Sequence, residues 1–555
     1  MSIRSLVCLG TLGCLTLCLA MPSFAQDAND DIAKLKAQVA EQQRQIEELT
    51  RRLDSLARAT QPGQPQTASS SGTAANSDNR PLIASTTPIF PSAPAPASPS
   101  TPIISPSAQP GGGSDNALQL KIGDATITPV GFMDMTSVTR STNPGTGIGT
   151  NFGSIPYGNT QLGSLTESRL SIQNSRIGAR VDTSFGSTNV IGYWESDFLG
   201  QLGNPPNGGI AVTSNSYPFR LRLYWVDLQH GGWEFLAGQS WSLATPNRRS
   251  VSPLPGDVFY SQDMDVNYQL GLTWSRVPGF RAAYHFSDKA VFALALENSE
   301  PYVGGGNGGS AIVAPAAIAG ILGSQVNNGS SVISAAALHP DIIAKLALDP
   351  SSRAHFELVG IETTAKIANP ASTPLYQTNT KAGGGLEFNF NVELFKGFRL
   401  IDNNYWDAGA GRYIFGQAPD FIIRPDGTLS NVHSASTVAG FEATARKTLF
   451  YAYYGGVYIA KNLAYDTTGK LIGYGPIAND GQNRAEQEIT FGTNTTLAKS
   501  PRWGALNLIT QYSYVFRNPW LVTGTSPTDA HTNMGFIDLR YTLPGAAASR
   551  NEYYK

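Results

Sequence analysis

In residues 219–242, FRLRLYWVDLQHGGWEFLAGQSWS, Arg220, Arg222 and Tyr224 fall on one face of an extended strand, with Leu221, Leu223 and Trp225 on the other. His230-Gly231-Gly232 supplies a tight reversal, and a second aromatic-rich strand follows. The same period of two recurs along the chain. Residues 170–183 set Arg176, Gly178, Arg180 and Asp182 against Ile177, Ala179 and Val181. Residues 189–199 set Tyr193, Glu195 and Asp197 against Val190, Trp194 and Phe198. In 385–395, Leu386, Phe388, Phe390, Val392 and Leu394 alternate with Glu387, Asn389, Asn391 and Glu393. Further strands are expected at 125–140, 268–286 (with a bulge at Pro278-Gly279), 290–298, 341–348, 354–367, 398–406, 437–446, 449–459, 487–497, 504–517 and 534–543. The run 341–348 fits a short helix equally well by periodicity. The total is about sixteen strands, with short reversals alternating with long, polar, Gly-rich connections.

This alternation fits two environments. A soluble sheet points its leucines into a core, whereas a membrane barrel points them into lipid and its arginines into a wet lumen. Composition separates the two. Hydrophobic residues make up 41% of the chain and charged residues only 14%. That is too little charge to cover the outer faces of so many soluble strands. Closure also removes exposed sheet edges, the other condition for living in lipid. The expected fold class is all-β, a transmembrane antiparallel β-barrel of about 16 strands over 117–545, followed by a polar tail at 546–555.

The segments before the barrel read differently. Residues 1–25 carry Arg4, a greasy run and Ser23-Phe24-Ala25, the pattern of a secretory signal cleaved before Gln26. All three cysteines lie within it, so the mature chain has no thiol for disulfides or metal. In 26–60, Ile32, Val39, Ile46 and Leu53 recur every seven residues, interleaved with Leu35, Gln42, Leu49 and Leu56, a coiled-coil seam that leaves dimer or trimer open. Residues 61–116, rich in Pro, Ser and Ala, form a linker. The net charge of −2 excludes a strongly basic nucleic-acid binder.

Several short motifs resemble the DcaP-like trimeric outer-membrane porins. They are Leu221-Arg222-Leu223-Tyr224 with Gly238-Gln239-Ser240-Trp241, then Ser175-Arg176-Ile177-Gly178, His339-Pro340-Asp341 through Leu346, and Gly411-Arg412-Tyr413. The resemblance implies strand rather than helix at 341–348. It also implies a homotrimer in the outer membrane, in contact with its lipid, that passes small anionic solutes such as carboxylates. The coiled coil would then lie in the periplasm, where peptidoglycan or another periplasmic component is a candidate partner. Two features depart from the pattern. A polar tail follows Leu543-Pro544, so the terminal aromatic signal falls to Tyr541, Tyr553 or Tyr554. The stretch 304–337 is unusually long, and it is expected either as a helix packed in the lumen or as a disordered surface loop.

Selection in a porin comes from charged side chains on inward-folded loops. Residues 243–265 are the expected constriction loop, with Arg248, Arg249, Asp257, Asp263 and Asp265. A wall of Arg176, Arg180, Arg220 and Arg222, with Tyr224, is expected opposite it, and Glu195, Asp197 and Glu297 supply counter-charge. Arginine suits carboxylates because its planar fork binds both oxygens. The bland alternative is that these charges pair with one another and stiffen the barrel. No cofactor or enzymatic activity is expected, since the six histidines show no metal spacing and no G-x-S-x-G occurs. A general or sugar-preferring pore, and a non-conducting link between outer membrane and cell wall, are the alternatives.

Overall fold

The computed structural model describes residues 119–200, 217–254, 264–329, 335–372, 374–477, 481–500, 502–524 and 527–544. The expected signal (1–25), coiled coil (26–60), linker (61–116) and tail (546–555) lie outside them. Sixteen strands form one ring: β1 Ala125–Arg140, β2 Glu167–Ser171 with Arg176–Phe185, β3 Thr188–Asp197, β4 Arg220–His230, β5 Trp233–Trp241, β6 Arg276–Ser287, β7 Ala290–Glu297 and β8 Asp341–Ser351, then β9 Ala354–Ala368, β10 Thr378–Phe395, β11 Phe398–Ala408, β12 His433–Ala445, β13 Thr448–Ile459, β14 Asn483–Ser500, β15 Gly504–Pro519 and β16 Ala530–Thr542. Each strand pairs antiparallel with its neighbour in the chain, and β16 closes on β1, from Phe132 opposite Thr542 to Arg140 opposite Met534. The interruption in β2 has a local cause. Ser175 leaves the ladder and its Oγ accepts the Asp134 amide at 2.9 Å.

The two faces of the ring are inverted relative to a soluble protein. Phe235, Phe280, Phe292, Leu294, Leu296, Leu358, Leu386, Ile537 and Leu539 are exposed on the outside. Asp227, Glu234, Lys345, Glu357, Glu387, Asn389, Asn403, Glu488 and Asp538 are buried on the inside. Aromatics collect near the short turns, among them Phe185, Trp233, Phe286, Phe395 and Trp503. A second set, with Phe280, Trp406 and Tyr458, lies higher on the strands. Eight residues separate Trp406 from Phe398, or about 26 Å along a strand. With the usual tilt, that spacing fits two girdles bracketing an apolar band. Tyr541 belongs to the lower set, its hydroxyl donating to the Trp503 carbonyl at 2.6 Å.

Period-two reading holds for nearly every strand and fails at two places. In β4, Glu195 pairs with Leu223 and Ser196 with Leu221, so Arg222 is an extra residue in a β-bulge. Arg222 and Leu223 both turn inward, and every later side chain swaps face. Trp225 is therefore buried, stacked on Tyr193 at 5.2 Å, and Tyr224 is 64% exposed on the outer face. This corrects the expected lumenal Tyr224 and outward Leu223 and Trp225. In the expected strand 268–286 only Arg276–Ser287 is strand. Tyr268 and Gly271 have positive φ (74° and 86°), which an extended ladder does not accommodate. The run at 341–348 is strand.

Most of the large buried apolar side chains of the loops lie toward the end of the ring opposite the short turns. Loop 141–166 buries Phe152, Ile155 and Tyr157. Loop 409–432 carries a hairpin, Phe421–Ile423 with Leu429–Asn431, and loop 460–482 carries another, Asn462–Tyr465 with Leu471–Tyr474. Loop 298–340 packs on both. Val313 bridges to Gly473, and the Tyr302 amide donates to Asp420 at 3.0 Å. In the described part of 304–337 the only helical piece is the 3-10 turn Ala316–Ile321, which buries Ile318 and Ile321. Neither expected form of this stretch, lumenal helix or surface loop, describes it.

Candidate solute constriction

The loop between β5 and β6, residues 242–275, turns into the ring. Its backbone N–H groups are bound by acids and amides of the wall. Leu243 donates to Glu297 of β7 at 2.7 Å, Asn247 to Glu357 of β9 at 3.2 Å, and Ser250 to Asp349 of β8 at 2.9 Å. Leu270 donates to Glu488 of β14 at 2.9 Å and Thr273 to Asn403 of β11 at 3.0 Å. Lys345 of β8, fully buried, donates to the Thr245 carbonyl at 2.8 Å and pairs with Glu357 at 3.1 Å. Arg248 reaches Glu442 of β12, with Nη1 to Oε2 at 2.9 Å. The return limb is braced by Asp265, which accepts the amides of Thr150 (3.1 Å) and Asn267 (2.9 Å). Burial pushes the Asp265 carboxyl above its ordinary range, while Arg140 and these hydrogen bonds pull it back.

A basic wall occupies β2 and β4. Arg222 is buried and makes three charge-assisted bonds, from Nε to Glu195 (2.8 Å), from Nη1 to Asp197 (2.7 Å) and from Nη2 to the Tyr268 hydroxyl (2.8 Å). Arg220 grips Asp197 through Nε (3.0 Å) and Nη2 (2.7 Å). Arg176 lies 3.6 Å from Glu195, and Arg180 pairs with Asp182 at 2.7 Å. Four guanidiniums therefore meet three carboxylates, leaving a positive surplus. In a ring of sixteen, β4 and β12 are diametrically opposed, so the Arg248–Glu442 contact anchors the loop across the lumen from this wall.

Below the loop, toward the short turns, is a cavity of about 360 Å³. Arg248, Arg249, His355, Arg399, Asp349, Glu393 and Glu442 line it. His355 pairs with Asp349 at 3.0 Å and Arg399 lies 3.8 Å from Glu393. Arg249 is exposed to the cavity and has no hydrogen bond or ion pair among the described residues.

The structure thus gathers Arg176, Arg180, Arg220, Arg222, Glu195 and Asp197 on one wall, and it puts Arg248 and Arg249 on the inward loop in the cavity against β8–β12, away from that wall. Tyr224 is not among them. Glu297 holds the Leu243 amide instead of opposing the arginines, and Asp257 and Asp263 lie outside the described residues. Sequence reasoning missed Lys345, His355 and Glu357. The signal was present, because Lys345 alternates with Leu346 and Glu357 with Leu358 as Arg222 does with Leu221. It also missed Arg276, which no local pattern marks.

No family model matches the chain, and no curated protein matches it. Among solved structures, the outer-membrane channel DcaP of Acinetobacter baumannii superposes with a TM-score of 0.53 at 14% identity, over 77% of this chain and 100% of that one. The fold is that of the DcaP channel. It agrees with the resemblance read from the short motifs. OmpT, an outer-membrane protein of Vibrio cholerae, matches with a TM-score of 0.40 at 10% identity, covering 77% and 100% of the two chains. An anion-selective porin from Comamonas acidovorans matches with a TM-score of 0.42 at 9% identity, covering 76% and 100%.

Proposed function

We propose that this protein is an outer-membrane porin giving passive diffusion to small hydrophilic anions, carboxylates in particular, through the charged gap between loop 242–275 and the β2–β4 wall. The observation that carries the reading is the surplus of guanidinium on that wall, together with Arg249 of the inward loop, exposed and without an ion pair among the described residues. A carboxylate passing between them exchanges water for fixed donors, while a cation meets like charge. The inverted faces of the ring support the lipid setting. On this reading the short-turn end faces the periplasm, the coiled coil is a periplasmic element, and the working unit is a homotrimer. Peptidoglycan is a candidate partner of the coiled coil.

The test is reconstitution of the mature protein in a planar lipid bilayer. Stepwise conductance that benzoate or succinate carries at least as well as chloride supports the proposal. Folded protein that inserts and stays silent points instead to the structural reading, a link between membrane and cell wall.

A further inference from the structure

A second cavity, of about 350 Å³, opens at the long-loop end. The end of loop 242–275, the start of β6, and loops 298–340 and 409–432 enclose it. Its lining includes Trp274, Arg276, Glu300, Tyr302, Arg412 and Phe415. Two opposite charges in this lining are unanswered. The Nε and Nη1 of Arg276 are buried with no hydrogen-bond partner among the described residues. Its guanidinium rests on the rings of Trp241 (5.2 Å) and Trp274 (5.4 Å), which hold its plane but accept none of its in-plane protons. The Oε2 of Glu300 is also buried without a partner among the described residues, while its Oε1 accepts Asn298 Nδ2 at 3.0 Å. Arg276 and Glu300 share the cavity yet form no ion pair with each other among the described residues. Arg412, the other cation, is already engaged by Asp341 and Asp420.

Burying a charged group without a partner is costly, so a guest that answers both groups is favoured over one that answers either alone. A simple anion satisfies Arg276 and is repelled by Glu300, and a simple cation does the reverse. We propose that this cavity is a binding site for a zwitterionic α-amino acid. The carboxylate sits on Arg276 and the ammonium donates to Glu300 Oε2. The side chain lies against Trp274 and Phe415, whose rings stack at 5.0 Å. The volume is at the lower end of ligand pockets, suited to a single amino acid and not to a peptide. Nothing in this depends on the barrel conducting ions.

The test is calorimetric titration of the full folded protein in detergent with L-phenylalanine as probe. N-acetyl-L-phenylalanine, which lacks the cation, and L-phenylalanine amide, which lacks the anion, are compared with it. We expect saturable binding of phenylalanine and affinity lower by about tenfold or more for each analogue. Glu300→Gln is expected to abolish the preference over the N-acetyl compound, and Arg276→Gln the preference over the amide. Folding of each variant is checked by the gel mobility of unheated samples. Equal binding of N-acetyl-phenylalanine and phenylalanine by the wild-type protein overturns the proposal in favour of a plain anion site. Absence of saturable heat from folded wild-type protein overturns it in favour of a hydrated cavity. Because binding is read in detergent, either failure is separate from a failure to conduct.

Discussion

Arg222 is the keystone of the basic wall, and its removal has a calculable effect. Its side chain is 2% exposed, and its partners Glu195 and Asp197 are 9% and 1% exposed. In Arg222→Ala, Asp197 keeps Arg220, but Glu195 keeps only Arg176 at 3.6 Å and the Tyr193 hydroxyl at 3.1 Å, and Tyr268 loses its donor. Breaking a buried pair by deleting one partner costs about 3–5 kcal/mol, most of it from the charge left behind. Arg222→Lys retains the charge but cannot span three acceptors, and we expect it to lose about 1.5–3 kcal/mol. The double variant Arg222→Met, Glu195→Gln removes the stranded carboxylate and should recover a large share of the loss. The assay is equilibrium urea unfolding of the barrel in lipid vesicles, followed by tryptophan fluorescence. A change below about 1 kcal/mol for Arg222→Ala, the size expected of an exposed pair, refutes the reasoning.

Other consequences are open to measurement. The Arg220 side chain is 37% exposed, so on the proposed function its charge reaches the solute path. For an ion passing about 6 Å away, one charge is worth about 0.7 kcal/mol in water and about 0.4 kcal/mol in 0.1 M salt, so Arg220→Gln should cut the anion-to-cation permeability ratio about three- to fourfold. The bulge at Arg222 predicts that, in single-tryptophan variants, brominated lipid quenches Trp in Tyr224→Trp and spares native Trp225; the opposite pattern removes the bulge. Asp265→Asn retains the acceptor for the Thr150 amide and sheds a desolvated charge, so it should stay within about 1 kcal/mol of wild type, whereas Asp265→Ala should lose about 1–3 kcal/mol in the same unfolding assay. Because the Asp265 carboxyl is raised in the folded state, its share of stability is largest at low pH and declines as pH climbs through the folded value. Asp265→Asn should therefore flatten that part of the pH profile, and an unchanged profile counts against the assignment.

The ring was legible because its strands obey one local rule. Residues 385–395 display hydrophobic and polar positions in strict alternation, and the structure keeps that pattern with Glu387, Asn389 and Asn391 buried inside. The rule broke where a single inserted residue shifted the phase. Nothing in LRLYW marks Arg222 as the extra residue, because the bulge is fixed by pairing with Glu195 and Ser196 on another strand. The segment YQLGLTW looks like strand for a related reason. Its Leu270 and Leu272 alternate as strand residues do, but their buried setting is a loop inside the ring. The basic cluster was visible as residue types on neighbouring strands, but which charges would be satisfied was not. Nothing near Asp349, Glu357 or Glu488 in sequence marks their partners, and in the structure they bind loop amides far away in the chain. The pairing of Arg276 with the Trp241 and Trp274 rings likewise arises only when the loop folds back.

The central claim is a barrel whose β2–β4 wall carries a surplus of guanidinium beside an inward loop. The most direct test is the zero-current potential across a planar bilayer holding the purified protein, under a tenfold gradient of potassium chloride. The account predicts a potential of the sign set by chloride, which moves toward zero when Arg220 and Arg222 are both replaced by Gln in protein that still folds. A potential of the sign set by potassium in the unmodified protein would contradict it.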